Sequence, residues 1–323
     1  MSRLDEIVKD LAKRVRRHPK SLLTWFDDAG AVRVDEGYML IKVDGFAVSR
    51  ALYPWCCLRD FGFRGVTAAV SDVVAKGCRP YVYAVSIGVT PDQVSSVEEL
   101  VKGVEDATRL YGGYVENMDT NVGLDGWVDV FVLAECRNTP LSRSVKPADV
   151  LILPRRVGLS TMAFIDFMRG RTPSTEEVKA FSCRPEANPS LARFIVENRS
   201  CIDGSIDVSD TLLESLQQVS EVSGTGVYIS ENPSDLLHPQ ALAYAYKESV
   251  NPLHMLLGSN EEYIPVMAVK PWCLESVYDH LKALHLELRV LGTVTGVSGI
   301  TWRGVKVPGI SWDYVAGRVT ITQ

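Results

Sequence analysis

Apolar residues in the first part of the chain recur with two different periods. Between residues 4 and 15 they follow the i, i+3, i+4, i+7 spacing, which predicts an opening amphipathic helix. Similar spacing predicts helices at 64–76 and from 96 to about 111. Runs rich in Val, Ile and Tyr predict strands at 38–43, 81–89, 114–116 and 127–135. Asp119 is expected in a loop between the last two strands.

The second part of the chain interleaves strands and helices in the same way. Strands are predicted at 150–153, 227–229, 263–269 and 288–294, and helices at 159–168, 212–222, 241–247 and 274–284. A polar stretch with two prolines at 138–149 marks a boundary between the two parts. We therefore predict a two-domain α+β (mixed α/β) protein, with an N-terminal domain at 1–140 and a C-terminal α/β domain at 141–323.

Composition and charge narrow the class of protein. The 323 residues are 46% hydrophobic and 23% charged, as expected of a globular protein with a large core. The net charge of −6 gives no general attraction to nucleic acid or to anionic membranes. The basic run at 13–20 follows a helical pattern and indicates a solvated helix end. No secretory signal and no apolar run of about 20 residues is present, which predicts a cytoplasmic protein with no membrane partner.

The spacing of the seven cysteines does not indicate a set of disulfides. They lie at positions 56, 57, 78, 136, 183, 201 and 273. An odd count without a C-x-x-C pair argues against both a disulfide framework and a structural zinc site. A bridge between neighbouring Cys56 and Cys57 is the alternative, and we expect buried thiols.

Five acidic motifs lie beside apolar segments, most of them at one end of the segment. They are Asp27-Asp28, Asp44-Gly45, Ser71-Asp72, Asp119-Thr120 and the Asp207-Val208-Ser209-Asp210 run. A desolvated carboxylate must be paired or bound to metal. If the segments converge, they form an all-oxygen pocket suited to a hard divalent cation, Mg²⁺ above all. Such a pocket without His or Cys indicates phosphate chemistry.

Each motif also has a structural interpretation when taken alone. Asp27-Asp28 and Asp44-Gly45 are compatible with turns, because Asp side chains bond to their own backbone there. Asp207 or Asp210 can cap the helix that follows. Asp72 is harder to explain, because it lies among apolar residues in a helical pattern where Asp is a poor helix former.

The order of these motifs resembles the family of thiamine-monophosphate kinase, which is grouped with aminoimidazole ribonucleotide synthetase, selenophosphate synthetase and the hydrogenase-maturation dehydratase. The family reads G-D-D-A, T-D, S-D-l-A-a-M-G-a-x-P, G-G-D-T, I-D-x-S-D-G-L and G-G-E-D-Y-E. The corresponding segments here are 26–29, 43–44, 69–80, 117–120, 206–212 and 259–263, with 141–149 resembling the family linker. The resemblance covers nearly the whole chain. It implies an aminoimidazole ribonucleotide synthetase-like fold whose N-terminal mixed-sheet domain dimerises.

The resemblance also implies roles for individual residues. The Mg²⁺-binding set is Asp27, Asp28, Asp44, Asp72, Asp119, Asp207 and Asp210, of which Asp72, Asp119 and Asp210 are the catalytic candidates. The nucleotide contacts are Asp119, Thr120, Arg143 and Ser209. Glu261 is implied on the substrate side, together with Tyr314 in a segment that resembles the family's D-W-x-G-Y ending.

Several positions depart from the family pattern. Glycines of four motifs are replaced, by Phe26, Asn117-Met118, Thr211 and Ser259-Asn260. Glycine is used where backbone approaches a ligand closely or takes a positive φ, so these loops differ in shape or freedom. Ala51 stands where the family has a histidine that contacts substrate.

The resemblance implies a Mg-ATP-dependent kinase that converts thiamine monophosphate into thiamine diphosphate, with ATP and a small phosphate substrate as partners in a homodimer. Two alternatives stay open. One is an ATP-dependent synthetase of the same superfamily that acts on a carbonyl or amide. The other is a nucleotide-binding homologue without catalysis, which the lost glycines favour. The retained acidic residues favour an enzyme, because an idle site has no need to keep like charges together.

Overall fold

The first sheet consists of five strands and is mostly antiparallel. The computed structural model describes residues 7–8, 11–12, 14–35, 37–307, 309–313 and 318–322. The strands are β1 (Gly30–Val34), β2 (Gly37–Ala47), β3 (Arg79–Val89), β4 (Tyr114–Val122) and β5 (Trp127–Cys136). They lie in the order β1-β2-β5-β3-β4, and all neighbours are antiparallel except β3 and β4. A parallel pair needs a crossover connection, which a helical segment provides here.

Helices cover one face of this sheet and leave the other face open. They are α1 (Val48–Ala51), α2 (Leu58–Ala75) and α3 (Val97–Tyr111), the last preceded by a 3₁₀ turn at Pro91–Ser96. Along β5 the helix-facing Val128, Val130 and Val132 are buried, whereas Phe131 between them is 36% exposed. This alternation follows from the period of two along a strand. The sheet therefore has a helix-covered face and an uncovered face.

The second sheet has seven strands. They are β6 (Val150–Leu153), β7 (Ile202–Asp207), β8 (Gly226–Ile229), β9 (Pro265–Val269), β10 (Arg289–Thr295), β11 (Gly299–Trp302) and β12 (Val305–Lys306), in the order β12-β11-β8-β10-β6-β9-β7. A separate hairpin pairs β13 (Gly309–Asp313) with β14 (Arg318–Thr322). The helices are α4 (Leu159–Met168), α5 (Glu176–Cys183), α6 (Ser190–Glu197), α7 (Leu212–Ser223), α8 (Pro233–Leu236), α9 (Pro239–Lys247), α10 (Pro252–Leu257) and α11 (Leu274–Ala283), with a 3₁₀ turn at Pro271–Cys273.

Helix α2 lies between the two halves of the molecule. Every residue from Phe61 to Ala75 in it is buried. It packs on the first sheet on one side and on α6, β7 and β9 on the other. A helix that is buried all round belongs to the core of a large protein. One continuous apolar cluster accordingly joins Val130 of the first sheet to Phe194 and Met267 of the second half.

The fold class and most predicted elements are confirmed, with differences at some boundaries. The predicted strand at 38–43 continues past Asp44 to Ala47, and the predicted helix at 64–76 begins earlier, at Leu58. The expected loop around Asp119 is wrong, because β4 runs through it. Pairing with β3 supplies backbone partners that local sequence does not show. Of the opening helix, residues 7–8 and 11–12 are helical, and much of the rest lies outside the described residues.

The division at 140/141 falls in the segment between the two sheets and stays a prediction. No helix among the described residues is both long and apolar enough to cross a bilayer.

The expectation of seven free thiols is wrong. Three disulfides join Cys56 to Cys183, Cys78 to Cys136, and Cys201 to Cys273, and Cys57 is the free cysteine. An odd count excludes only complete pairing, and partners 58 to 127 residues apart are brought together by tertiary structure. Their Cα atoms lie 4.4 to 5.6 Å apart, within the range that a disulfide spans.

We expect thiol counting in denaturant to detect one reactive thiol per chain before reduction and seven after it. Reduction should lower the melting temperature, because each bridge restricts the unfolded chain by roughly 4–5 kcal/mol in a chain-entropy model. The matched control is Cys57→Ser, which should remove the titratable thiol and leave the melting temperature unchanged. Seven thiols in the unreduced protein would contradict the assigned pairs.

Candidate active site

A cavity of about 720 Å³ lies between the part of the chain that forms the first sheet and the part that forms the second. Strand β2 and helix α2 supply its wall from the first domain, and α4, α10 and the segment after β7 supply its wall from the second. One end is lined by carboxylates and the other by aromatic and aliphatic side chains. A concave site of this size between domains, with a few convergent polar groups, is typical of small-molecule binding.

Three carboxylates meet at the polar end of the cavity. Asp28 comes from the loop before β1, Asp72 from the interior of α2 and Asp207 from the end of β7. One oxygen of each lies within 4.8 Å of one oxygen of the other two. Ser71 Oγ donates a hydrogen bond of 2.5 Å to Asp207 Oδ2. These three predicted residues therefore converge, although they are far apart in the chain.

Burial and mutual repulsion shift the protonation of this cluster. Desolvation and the neighbouring Asp207 raise the pKa of Asp72 well above its ordinary value. Burial and the charge of Asp28 raise the pKa of Asp207 to about 6. Burial also disfavours the charged form of Asp28, but Lys76 and Arg143 outweigh it and lower the pKa. Like charges held this close are typical of a functional site.

The donor set fits a hard divalent cation. All the donors are carboxylate oxygens, which Mg²⁺ prefers. Asp28 Oδ2 is buried and accepts no well-directed hydrogen bond, although Lys76 Nζ lies 2.6 Å away. A cation between Asp28, Asp72 and Asp207 would stabilise the ionised forms of all three.

Two lysines that the sequence analysis did not select lie within the carboxylate network. Lys42 Nζ is 2.6 Å from Asp72 and 3.1 Å from Asp44. Lys76 Nζ is 2.6 Å from both Asp27 and Asp28, and it donates to the carbonyl oxygen of Ser205 at 2.9 Å. A lysine two residues before an aspartate on one strand shares its face, and that spacing is the available sequence signal for Lys42.

The nucleotide-side candidates of the second domain also lie at the cavity. The Arg143 guanidinium contacts Asp28 and Gln218, and its backbone N–H donates to Asp27 Oδ2 at 3.3 Å. Ser209 and Asp210 line the same wall, Asp210 at an exposed position. The segment is held by the start of α7, where Thr211 caps the helix by accepting from the Glu214 N–H at 3.1 Å.

Asp119 and Thr120 are not at the cavity. Both are exposed on β4. Asp119 is in register with Ser86, Ser86 with Asp129, and Asp129 with Gly45. Residues in one register row share a face, and Gly45 is adjacent to Asp44, so Asp119 lies on the sheet face opposite Asp44. The predicted convergence of all five motifs therefore does not hold for Asp119 within one chain.

The substrate-side candidate Glu261 lies where the polar and aromatic ends of the cavity meet. Arg64 Nη2 pairs with Glu261 Oε1 at 2.7 Å, and the Tyr53 hydroxyl donates to Oε2 at 3.3 Å. The Tyr53 ring stacks on Trp55 with centroids 4.9 Å apart and meets Phe167 edge-on at 5.3 Å. Tyr314 lies outside the described residues.

His254 also lines the cavity. The sequence analysis passed over it because it matches no motif. Its placement depends on the packing of α10, which has no local sequence signal.

The chain is similar in sequence and in structure to several known proteins. Residues 26–135 match the family model described as AIR synthase related protein, N-terminal domain. The chain is 27% identical over 303 residues to the thiamine-monophosphate kinase of Pyrobaculum calidifontis, covering 92% of this chain and 96% of that protein. A crystal structure of tt0281 from Thermus thermophilus superposes with a TM-score of 0.85 at 29% identity, covering 94% of this chain and 98% of the other.

A further solved structure extends the likeness in fold. AaThiL complexed with AMPPCP and TMP superposes with a TM-score of 0.83 at 20% identity, covering 97% of this chain and 99% of that one. The family model begins at Phe26, just before the Asp27-Asp28 motif, and ends at residue 135, so it spans the first sheet except for Cys136, the last residue of β5. Over nearly its whole length, the chain is therefore similar to thiamine-monophosphate kinases, and residues 26–135 match the AIR synthase related family model.

Proposed function

We propose that this chain is a Mg²⁺- and ATP-dependent phosphotransferase that converts thiamine monophosphate into thiamine diphosphate, with ADP as the second product. The observation that carries the proposal is the buried trio of Asp28, Asp72 and Asp207 at the cavity between the domains. The kinase names of the relatives and the AaThiL complex with AMPPCP and TMP support the same reaction. An enzyme that draws on ATP in this way is expected in the cytoplasm.

Asp28, Asp72 and Asp207 would hold Mg²⁺. Asp27, Asp44 and Asp210, which the resemblance also implies as ligands, line the same cavity but lie outside this close group. An ion held there would neutralise charge on the phosphates of ATP. Arg143, only 7% exposed at the edge of the trio, supplies a fixed positive charge for a phosphate oxygen. Ser209 on the same wall is the proposed hydroxyl contact.

The transfer itself asks little covalent chemistry of the protein. The acceptor is an oxygen of a phosphate monoester, which is already ionised at neutral pH, so no strong general base is needed. Positioning and charge neutralisation supply most of the catalysis in phosphoryl transfer. The cavity walls align donor and acceptor and exclude bulk water, which strengthens each electrostatic contact.

The aromatic end of the cavity suits the organic part of the acceptor. Tyr53, Phe164 and Phe167 line it together with Glu261. Aromatic faces attract cations, and the thiazolium ring of thiamine carries a positive charge. Because Glu261 already pairs with Arg64, its charge is balanced before substrate enters. Tyr314 is retained as a proposed substrate contact.

Backbone geometry favours an active enzyme over a scaffold that has lost catalysis. The non-glycine residues with positive φ among the described ones are Ala148, Ser249, Glu261, Tyr263, His285 and Arg303. None of the residues that replace a family glycine is among them, and Thr211 has an extended φ of −136°. The replacements therefore cost no left-handed strain.

Turnover tests the reaction directly. With Mg-ATP and thiamine monophosphate, we expect ADP and thiamine diphosphate to form in equal amounts. ATP binding without ADP release would support the non-catalytic alternative. ADP release that requires a carbonyl or amide acceptor instead would support the synthetase alternative.

Asp72→Asn tests the carboxylate trio. We expect it to abolish Mg²⁺-dependent ATP binding and to lower turnover at least about 100-fold. The free energy of unfolding should change little, because burial already disfavours the charged carboxylate, Asn has a similar shape, and Lys42 keeps Asp44 as its partner at 3.1 Å. Calorimetric titration and thermal melts measure the two effects. Asp92→Asn, in the exposed 3₁₀ turn, is the matched control. Unchanged nucleotide affinity in Asp72→Asn would refute the assignment.

We further propose that the chain works as a homodimer joined through the uncovered face of the first sheet. On this face Val43 is 64% exposed, Ile41 39% and Phe131 36%. Apolar side chains grouped on one sheet face mark an interaction surface. The same face carries Asp119, so a second copy packed against it would place the partner's Asp119 at the subunit boundary. That arrangement accounts for a nucleotide-side candidate that lies outside the cavity of its own chain.

Val43→Asp tests this interface. The wild type should have a mass by light scattering twice the 35.7 kDa of one chain. Val43→Asp should be monomeric, because a buried unpaired carboxylate disrupts an apolar interface. It should also lose most of its turnover. The control is Val297→Asp, at a 79% exposed position in the second domain, which should change neither property. A monomeric wild type would refute the dimer.

A further inference from the structure

The carboxylate network contains its own cations. Lys42 bridges Asp44 and Asp72, and Lys76 bridges Asp27 and Asp28. Each ammonium group thus joins two carboxylates, as a bridging metal ion does. The two lysines differ in access: the Lys42 side chain is 18% exposed and lines the cavity, whereas Lys76 is completely buried and does not.

The position of Lys42 is fixed by its strand. Lys42 and Asp44 are two residues apart on β2 and therefore share the helix-facing side of the sheet, towards Asp72 in α2. Both neighbouring strand residues, Ile41 and Val43, point to the uncovered face and are exposed. The Lys42 ammonium group is thus close to the carboxylates of both Asp44 and Asp72, and the side chain lines the cavity wall.

The carboxylates of the network outnumber its cations. Its five carboxylates are Asp27, Asp28, Asp44, Asp72 and Asp207, and its three cations are Lys42, Lys76 and Arg143. These carboxylates outnumber the cations, and Asp210 on the same cavity wall adds to the excess, which favours a bound divalent cation as a further partner.

The geometry provides a site for one ion. Among the described residues at the cavity, Asp28, Asp72 and Asp207 are the group whose oxygens come together closely enough for one ion. Cys56, Asp60 and Cys183 meet the same distance elsewhere, but both cysteines are disulfide-bonded.

We propose that Lys42 is a fixed cation that replaces a metal ion between Asp44 and Asp72 and contacts the phosphates of the nucleotide directly. The chain then holds one divalent ion, at Asp28, Asp72 and Asp207. Lys76 has no access to the cavity and acts as a positioning residue for Asp27 and Asp28. The nucleotide contact rests on the proposed function, whereas the replacement of a metal ion by Lys42 does not.

The first test counts ions without nucleotide. Mn²⁺, used as a spectroscopic substitute for Mg²⁺, is titrated into the protein and bound ions are counted by electron paramagnetic resonance. We expect about one ion per wild-type chain and about two in Lys42→Met, because removal of the ammonium group frees Asp44 and Asp72 for a second ion. Lys42→Arg should keep one. The matched control is Lys102→Met, since Lys102 also bridges two carboxylates, Glu98 and Glu99, but on the surface of α3.

The second test measures nucleotide affinity against free Mg²⁺ with a non-hydrolysable ATP analogue. The slope of log Kd against log free Mg²⁺ should be steeper by about one in Lys42→Met than in the wild type. At limiting Mg²⁺ the variant should bind at least tenfold more weakly, and Lys102→Met should behave as the wild type does.

Equal ion counts in the wild type and a folded Lys42→Met variant would overturn the inference, as would two ions in the wild type. If Lys42→Met does not fold, the wild-type and Lys42→Arg counts decide the question, and a count above one in either overturns it. A correct ion count with no binding of the analogue would refute the proposed function while leaving the replacement of a metal ion by Lys42 in place.

Discussion

The balance between buried carboxylates and fixed cations at the domain boundary is the constraint on which the rest of this structure depends. The charged groups come from the loop before β1, from β2, from α2, from the interdomain segment and from β7. Removing one partner of such a pair leaves an uncompensated buried charge, which costs about 3–5 kcal/mol. Lys76 also donates to the Ser205 carbonyl oxygen of the second domain. The groups that make the site chemically competent therefore also join the two halves of the molecule.

Helix α2 explains how this network is assembled. Asp72 and Lys76 are four residues apart and thus lie on one face of the helix or its end, where one turn brings them next to each other. Val70, Val73 and Val74, which flank Asp72 in the helix, are buried and cannot stabilise a charge. Asp72 therefore has no partners except the network itself, and the raised pKa of its carboxyl shows that the pairing is incomplete. A cation-binding site needs carboxylates whose charge is only partly compensated, because such carboxylates stabilise a bound cation more than water does.

The spacing of apolar residues predicted the elements well where it matches the side of the element that is buried. Examples are α4 and the strand from Val150 to Leu153. The order of acidic motifs also selected Asp28, Asp72 and Asp207 correctly as neighbours. The errors concern properties that only tertiary structure decides. Pairing with β3 turned the expected loop at Asp119 into a strand, and strand register then placed Asp119 on the far face. Lys42 and Lys76 were not selected, because the sequence does not show which carboxylates they approach.

The disulfides were also not predictable from local sequence, because tertiary structure brings their cysteines together. One of them lies beside the cavity. Cys56 and Cys183 lie next to the aromatic end, where Trp55 Nε1 donates to Ser182 Oγ at 3.0 Å. A covalent link thus joins the two domains at the aromatic end, and the ionic network joins them at the carboxylate end. With both ends tied, the distance between the two halves of the cavity is set before any ligand enters. Phosphoryl transfer depends on alignment and preorganised charge more than on reactive side chains. A cavity fixed at both ends meets that requirement without a large domain closure.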